Sequence, residues 1–379
     1  MDTAPKRIFG LDMVRAIAIS MVVISHSIEI LLPLRQLPVV GYPFGKLIAL
    51  TYPFGVMGVE LFFALSGFLI GGILIREFIT NDAQHKTTIL HFWKMRWLRT
   101  LPAYYTVLLI VYLLNKFVYL KSTGLSFLFF TQNLWTPHPP TFGEAWSLSI
   151  EEWSYLILPF LFWLSGKGNN RRRRLLISLV VYLSMFVLLR IANAFDPIYP
   201  NLDKGIRKVV MFRLDAVAWG MLMAYLHHFY TERIRKNTTR LFLIGLIGVV
   251  TISGLDYVGT HPSFNYYHKI SSYHFLMDAF LYTLYPVFFT LILPYAYYIG
   301  HPKNRLFTQF ITKTSILSYS LYLTHGYIIL HLMKKFFFAE KPMESIVFFI
   351  VYILISILSA ITLNKFIEMP FLKLREKIK

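Results

Sequence analysis

The sequence predicts an all-α, polytopic membrane helix bundle with about ten transmembrane helices and both termini cytoplasmic. Composition is the first reason: 56% of the 379 residues are hydrophobic, 17% are aromatic and only 15% are charged. The mean hydropathy of +0.54 lies well to the apolar side of a soluble domain. The second reason is the recurrence of apolar runs of about twenty residues, the length that crosses a bilayer as a helix. The third is charge placement. With the N-terminus inside, the inward connections carry most of the 38 Lys and Arg, as short loops that resist translocation do.

The runs fall near 11–33, 53–75, 101–120, 146–165, 175–194, 209–229, 241–258, 276–299, 315–333 and 345–366. The first follows a short basic leader, Lys6 and Arg7. It is too long for a signal peptide and has no convincing small-residue cleavage site, so it reads as a retained span. The stretch KGNNRRRR at 167–174 and the tail KLREKIK from 373 mark the inner side most firmly. The outward connections 121–145 and 259–275 are rich in Pro, His, Tyr and Trp, a composition suited to a rim over a cavity. No internal repeat supports the inverted-repeat architecture common in transporters. Residues 1–379 therefore read as one transmembrane domain with no separate soluble domain.

A formal charge of +19 would suit nucleic acid only if the bases clustered on a polar domain, and no such domain is visible, so no nucleic-acid partner is expected. The chain has no cysteine, which removes disulfides, thiolate metal sites and an acyl-cysteine intermediate. No HxxxH pair on one helix face invites a metal.

Polar residues inside apolar runs are expensive and call for a reason. Arg15 and His26 share the first run. Eleven residues at about 100° each make roughly three turns plus about 20°, so both side chains project from one face about 16 Å apart. The second run carries Gly67 and Gly71 in a GxxxG spacing, which lets helices approach closely. Its Glu60 reaches either the outer interface or a cavity shared with His26. Lys94, Arg96 and Arg99 in WKMRWLRTLPAYY precede the third run. Two guanidinium forks three residues apart suit phosphate oxygens, and equally suit positive-inside anchoring on membrane lipids.

Several of these segments resemble the integral membrane acyltransferase-3 family: Arg15 and His26 with ten residues between them, GVELFFALSGFLI at 58–70, and the arginines Arg96 and Arg99. The most specific match is Trp146-Ser147-Leu148-Ser149-Ile150-Glu151-Glu152-Trp153-Ser154-Tyr155, similar to the family's WSLSxEExxY segment. FRLDA around Arg213 and Asp215, SYSLYL with Tyr319 and Tyr322 ahead of His325, and Glu368 before Pro370 resemble further family blocks. Arg213 and Asp215, two apart on a helix, do not face each other, so each is expected to pair with another helix. His325 either contacts the acyl donor or satisfies a buried polar pair, and Glu368 closes the bundle.

The resemblance implies a membrane O-acyltransferase that moves an acyl group, acetyl by default, from cytoplasmic acyl-CoA to a hydroxyl of an envelope or secreted carbohydrate. Arg15, Arg96 and Arg99, with His325, would hold the donor. His26 would act as general base, or would carry the acyl group itself, and Glu151 or Glu152 would orient it. Adjacent glutamates point about 100° apart, so one of them at most shares the His26 cavity. Glu60, Trp146, Ser147, Arg213, Asp215, Tyr319, Tyr322 and Glu368 are substrate-binding or structural. Aromatic outer segments suit sugar rings, and interfacial belts explain them equally well. The absence of a fused hydrolase-like domain favours direct transfer to the final acceptor. The alternative is a transporter or translocator of an acyl or lipid-linked sugar species. Location in the cell (inner) membrane as a multi-pass protein follows from either, and neither fixes an oligomeric state.

Overall fold

The computed structural model describes residues 7–37, 41–51, 53–80, 85–196, 198, 202–260, 271–337 and 341–378. Of the described residues 87% are helical and none lies in a strand. The helices are α1 (Phe9–Ser27), α2 (Gly41–Thr51), α3 (Phe54–Ile75), α4 (His85–Leu114), α5 (Ala145–Gly166), α6 (Arg171–Phe195) and α7 (Asp215–Phe229). They continue with α8 (Thr231–Lys236), α9 (Thr238–Thr260), α10 (Ser271–Tyr298), α11 (Arg305–Thr324), α12 (His331–Phe336), α13 (Pro342–Leu363) and α14 (Met369–Ile378).

The segments built on α1, α3, α4, α6, α9, α10 and α13 are the seven among the described residues that are long and apolar enough to cross a membrane. The runs expected at 146–165, 209–229 and 315–333 form α5, α7 and the α11–α12 segment. They are not among those seven; α7, for one, has only 15 residues, short of the length that crosses a bilayer. Much of the expected outward connection 259–275 lies outside the described residues. Leu109, Val181, Ile247 and Leu358 are exposed on helix surfaces. A lipid-facing surface needs such side chains, because hydrocarbon offers no hydrogen bonds.

Helix α3 is the hub, packed against α1, α5, α7 and α10. Its closest approach is to α7, where a Cβ at Gly67 would strike the Val217 carbonyl and one at Gly220 the Ala64 carbonyl. Only glycine permits that separation, and without a hydrophobic drive between helices in lipid such close packing supplies the adhesion.

Two fully buried ion pairs add to this packing, one joining α3 to the entry of α7 and the other joining α6 to α7. Arg213 Nη2 donates to both oxygens of Glu60 at 2.8 and 2.6 Å. Arg190 grips Asp215 with two parallel bonds of 2.8 and 2.7 Å and also donates to Thr283 Oγ1 of α10 at 2.6 Å. Residues 213 and 215 thus bond to different helices. Glu60 lies neither at an outer interface nor in a cavity with His26, because Arg213 occupies both its oxygens in the core. Glu368 accepts from Ser320 of α11 and, at 3.2 Å, from Asn364 Nδ2, which seats the end of the α13 segment on the bundle.

Two departures from α geometry prepare the site. After Ser27, α1 tightens into a 3₁₀ segment, Ile28–Gln36, which contains Pro33. After Thr324, α11 widens into a π segment, His325–Leu330. Such interruptions cost regular hydrogen bonding and recur at functional positions.

Candidate active site

His26, in the last turn of α1, places Nδ1 2.8 Å from Nε2 of His325, and the rings stack with centroids 5.1 Å apart. The tautomers follow from the partners. His325 Nδ1 lies 3.0 Å from the Leu321 carbonyl and 2.9 Å from the Tyr322 carbonyl. Carbonyls only accept, so this nitrogen carries the proton. Nε2 of His325 then offers a lone pair and accepts from His26 Nδ1–H. That leaves His26 Nε2 unprotonated. His325 is fully buried, whereas His26 is exposed into a cavity of about 410 Å³.

That cavity mixes charge with aromatic surface. Trp146, Arg207, Asp203 and Glu144 line it with His26. The Arg207 guanidinium sits 4.8 Å above the Trp146 ring and pairs with Asp203 at 2.6 Å, while Lys208 reaches the other Asp203 oxygen at 2.6 Å. Burial would raise the Asp203 carboxyl, but the two cations prevail and hold it below the ordinary carboxylate value. Glu144 stands at the start of α5 and accepts from the Tyr327 amide at 2.7 Å through Oε1. Its Oε2 is buried without a hydrogen-bond partner. Burial pushes its carboxyl up to about 7, against the backbone hydrogen bonds that favour the ionised form.

A second cavity, of about 170 Å³, gathers Arg15, Arg96 and Arg99 with Glu151 and Tyr319 against the apolar face of α3. Arg15 is held by Asp12 at 3.3 Å and by Ser315 at 3.1 Å, and Ser315 itself donates to Asp12 at 2.7 Å. Arg96 donates to the Tyr155 hydroxyl at 2.6 Å and lies 4.0 Å over that ring. Tyr155 donates in turn to Glu151 at 3.0 Å. Three guanidinium groups around one opening make a site suited to phosphate oxygens. Val59 and Tyr322 line both cavities. The Tyr322 hydroxyl, 2.5 Å from Ser147 Oγ, helps to form the wall between them.

The carboxylate expected to orient His26 is not there; an imidazole is. Glu151 and Glu152 lie five and six residues beyond Trp146 on α5, about 7.5 to 9 Å along the axis, beside Arg96 rather than His26. His325, expected either to contact the acyl donor or to satisfy a buried polar pair, is bonded to His26 and does not line the arginine cavity. Trp146 faces the histidine cavity, Ser147 faces the arginine cavity, and Tyr319 donates to the Thr100 carbonyl at 2.9 Å. Sequence reasoning missed Glu144, Asp12 and the Asp203–Arg207–Lys208 cluster, and met Tyr155 only as the last residue of a family segment. Asp12 carried a usable signal, a carboxylate three residues before Arg15 on the same helix.

Fold and site together define a helical membrane protein that encloses a histidine pair, with a cationic cavity on one side of a tyrosine wall and a mixed-charge cavity on the other. Residues 8–365 match the family profile described as an acyltransferase domain. The chain belongs to this acyltransferase-3 family. It is 25% identical over 370 residues to the O-acetyltransferase OatA of Staphylococcus aureus, covering 90% of this chain and 56% of that protein. It is 29% identical over 153 residues to the peptidoglycan O-acetyltransferase OatA of Listeria monocytogenes, covering 35% of this chain and 23% of the relative. A putative peptidoglycan O-acetyltransferase of Bacillus subtilis, YrhL, is 31% identical over 189 residues, 44% of this chain and 29% of that protein. The chain thus spans about half the length of the staphylococcal relative. No solved structure matches it.

Proposed function

We propose that this chain is a multi-pass O-acetyltransferase of the cell membrane, with both termini cytoplasmic, acting on a hydroxyl of an envelope carbohydrate of the peptidoglycan class. Acetyl-CoA is the donor. Its phosphates bind Arg15, Arg96 and Arg99 on the cytoplasmic side, and its pantetheine arm runs along α3 toward Tyr322. The acceptor enters the larger cavity from the other side. The observation that carries this reading is the His26–His325 pair at the wall between the two cavities. The family and the named activities of its relatives support the reaction class.

In the chemical step, the acceptor hydroxyl oxygen bonds to the thioester carbonyl carbon as Nε2 of His26 takes its proton. The C–S bond then breaks and the thiolate of coenzyme A recovers that proton from the imidazolium. His325 holds the Nδ1–H of His26, fixing the reactive tautomer and bearing part of the transient charge. A positioned base of this kind contributes about 10² to 10⁴ in rate. Trp146 and Arg207 offer a flat, partly cationic platform to the sugar.

The test uses the protein in lipid nanodiscs with acetyl-labelled acetyl-CoA and a peptidoglycan glycan-strand acceptor. Label appearing as an alkali-labile ester on the glycan is expected. In sealed proteoliposomes, acceptor or acyl group crossing the bilayer without ester formation would favour a translocator instead.

A further inference from the structure

The carboxyl of Glu144 belongs to none of the groups that the transfer step uses. It is 6% exposed, and it lines the cavity that holds His26. One oxygen is committed, since Oε1 accepts from the backbone amide of Tyr327 at 2.7 Å. The other, Oε2, has no partner. A carboxylate oxygen withdrawn from water without a hydrogen bond is costly to keep. Its position is over-determined all the same. A Cβ at Gly326 would collide with Oε1, so the residue next to His325 is one that makes room for this carboxyl. The backbone carbonyl of Glu144 is held as well, accepting from Ser147 Oγ at 3.2 Å. Side chain and backbone of Glu144 are therefore both tied to the catalytic wall, the carboxyl through Gly326 to His325 and the backbone carbonyl through Ser147 to Tyr322.

An unpartnered acceptor atom on a residue that lines a polar cavity, fixed relative to the base, is an arrangement that selects a ligand by one hydrogen bond. We infer that Glu144 is the residue that orients the acceptor: Oε2 receives a hydrogen bond from one hydroxyl of a polyhydroxylated sugar and so presents a neighbouring hydroxyl to Nε2 of His26. Glu144 is thus a positioning and specificity-determining residue for the acceptor, with no part in holding the donor. This rests on the acyl-transfer reading above.

The test compares the full-length wild type with Glu144→Gln and Gly326→Ala in nanodiscs at about pH 8, where Glu144, pushed up to about 7, is mostly ionised and only accepts. Glu144→Gln keeps an oxygen for the Tyr327 amide but turns an N–H₂ donor into the cavity. Gly326→Ala keeps the carboxyl and displaces it. The probes are acetyl-CoA alone, for acceptor-independent thioester hydrolysis, and acetyl-CoA with a β-1,4-linked N-acetylglucosamine tetrasaccharide. Both variants are expected to raise KM for the tetrasaccharide about tenfold or more, the scale of one lost hydrogen bond to a charged group, with hydrolysis unchanged in Glu144→Gln. An unchanged acceptor KM, or hydrolysis falling in parallel with transfer in Glu144→Gln, overturns the assignment. Wild-type hydrolysis without transfer to the tetrasaccharide overturns the sugar class. Hydrolysis that survives His26→Ala removes the acyl-transfer reading itself, and is distinguishable from the other results.

Discussion

Nδ1 of His26 lies 2.8 Å from Nε2 of His325, across 299 residues of sequence. Because both acceptors of His325 Nδ1 are carbonyls, the pair has one consistent neutral protonation pattern, and it leaves the free lone pair on the ring that lines the cavity. His325→Ala is expected to lower kcat about 10²-fold or more while leaving KM for acetyl-CoA within about twofold. His325→Gln, which can restore an acceptor oxygen to His26 Nδ1–H, should recover part of the loss. A purely structural role would move stability and both kinetic constants together, and steady-state kinetics on folded protein separate the two.

The arginine cavity makes a binding prediction. Arg96→Ala and Arg99→Ala should each weaken coenzyme A affinity about tenfold, or about 1.4 kcal/mol. Binding of pantetheine, which lacks the phosphates, should hardly change. Calorimetry in nanodiscs reads both ligands. Equal affinity of wild type and variants for coenzyme A would assign the two arginines to lipid anchoring.

The Glu60–Arg213 pair is fully buried, so removing one partner strands a charge. Glu60→Ala should destabilise the protein by about 3–5 kcal/mol, whereas replacing both residues with apolar side chains of similar size should recover most of that. Thermal unfolding in detergent is the measurement. A single substitution with no effect on the midpoint would mean that the pair is solvated.

Glu144 gives stability a pH dependence. Its carboxyl is pushed up to about 7 from an ordinary value of 4.5, so the folded protein keeps a proton that the unfolded chain releases. Its stabilising contribution is fully present below about pH 4.5 and is lost as pH rises through about 7. Glu144→Gln removes this slope. The melting temperature of the variant relative to wild type should therefore increase between about pH 5 and pH 8, and parallel melting curves would contradict the assigned burial.

What was legible in the sequence were features carried by one helix. Arg15 and His26 stand out because charge and imidazole in an apolar run are rare, and Arg96 with Arg99 because their spacing is local. The GxxxG at Gly67 pointed correctly to close packing, here against α7. Partnerships between distant segments were not legible. His325 was visible as a polar residue in an apolar run, but nothing local says that its ring meets His26, and the expectation that a glutamate fills that place followed from the family segment alone. Glu144 stayed hidden for another reason. A carboxylate at the start of a helix reads as a complement to the helix dipole, and only the fold shows that it is buried, half-bonded and part of the cavity wall.

The central claim is that Nε2 of His26 takes the acceptor proton. Its most direct measurement is single-turnover transfer of labelled acetyl from acetyl-CoA to the glycan acceptor by wild type and His26→Ala, with acid-quenched protein counted for covalent label. The expected result is a rate at least about 10²-fold lower in His26→Ala, unchanged acetyl-CoA affinity, and no acetyl-protein in the wild type. Transfer by His26→Ala at near wild-type rate, or label accumulating on His26, would contradict it.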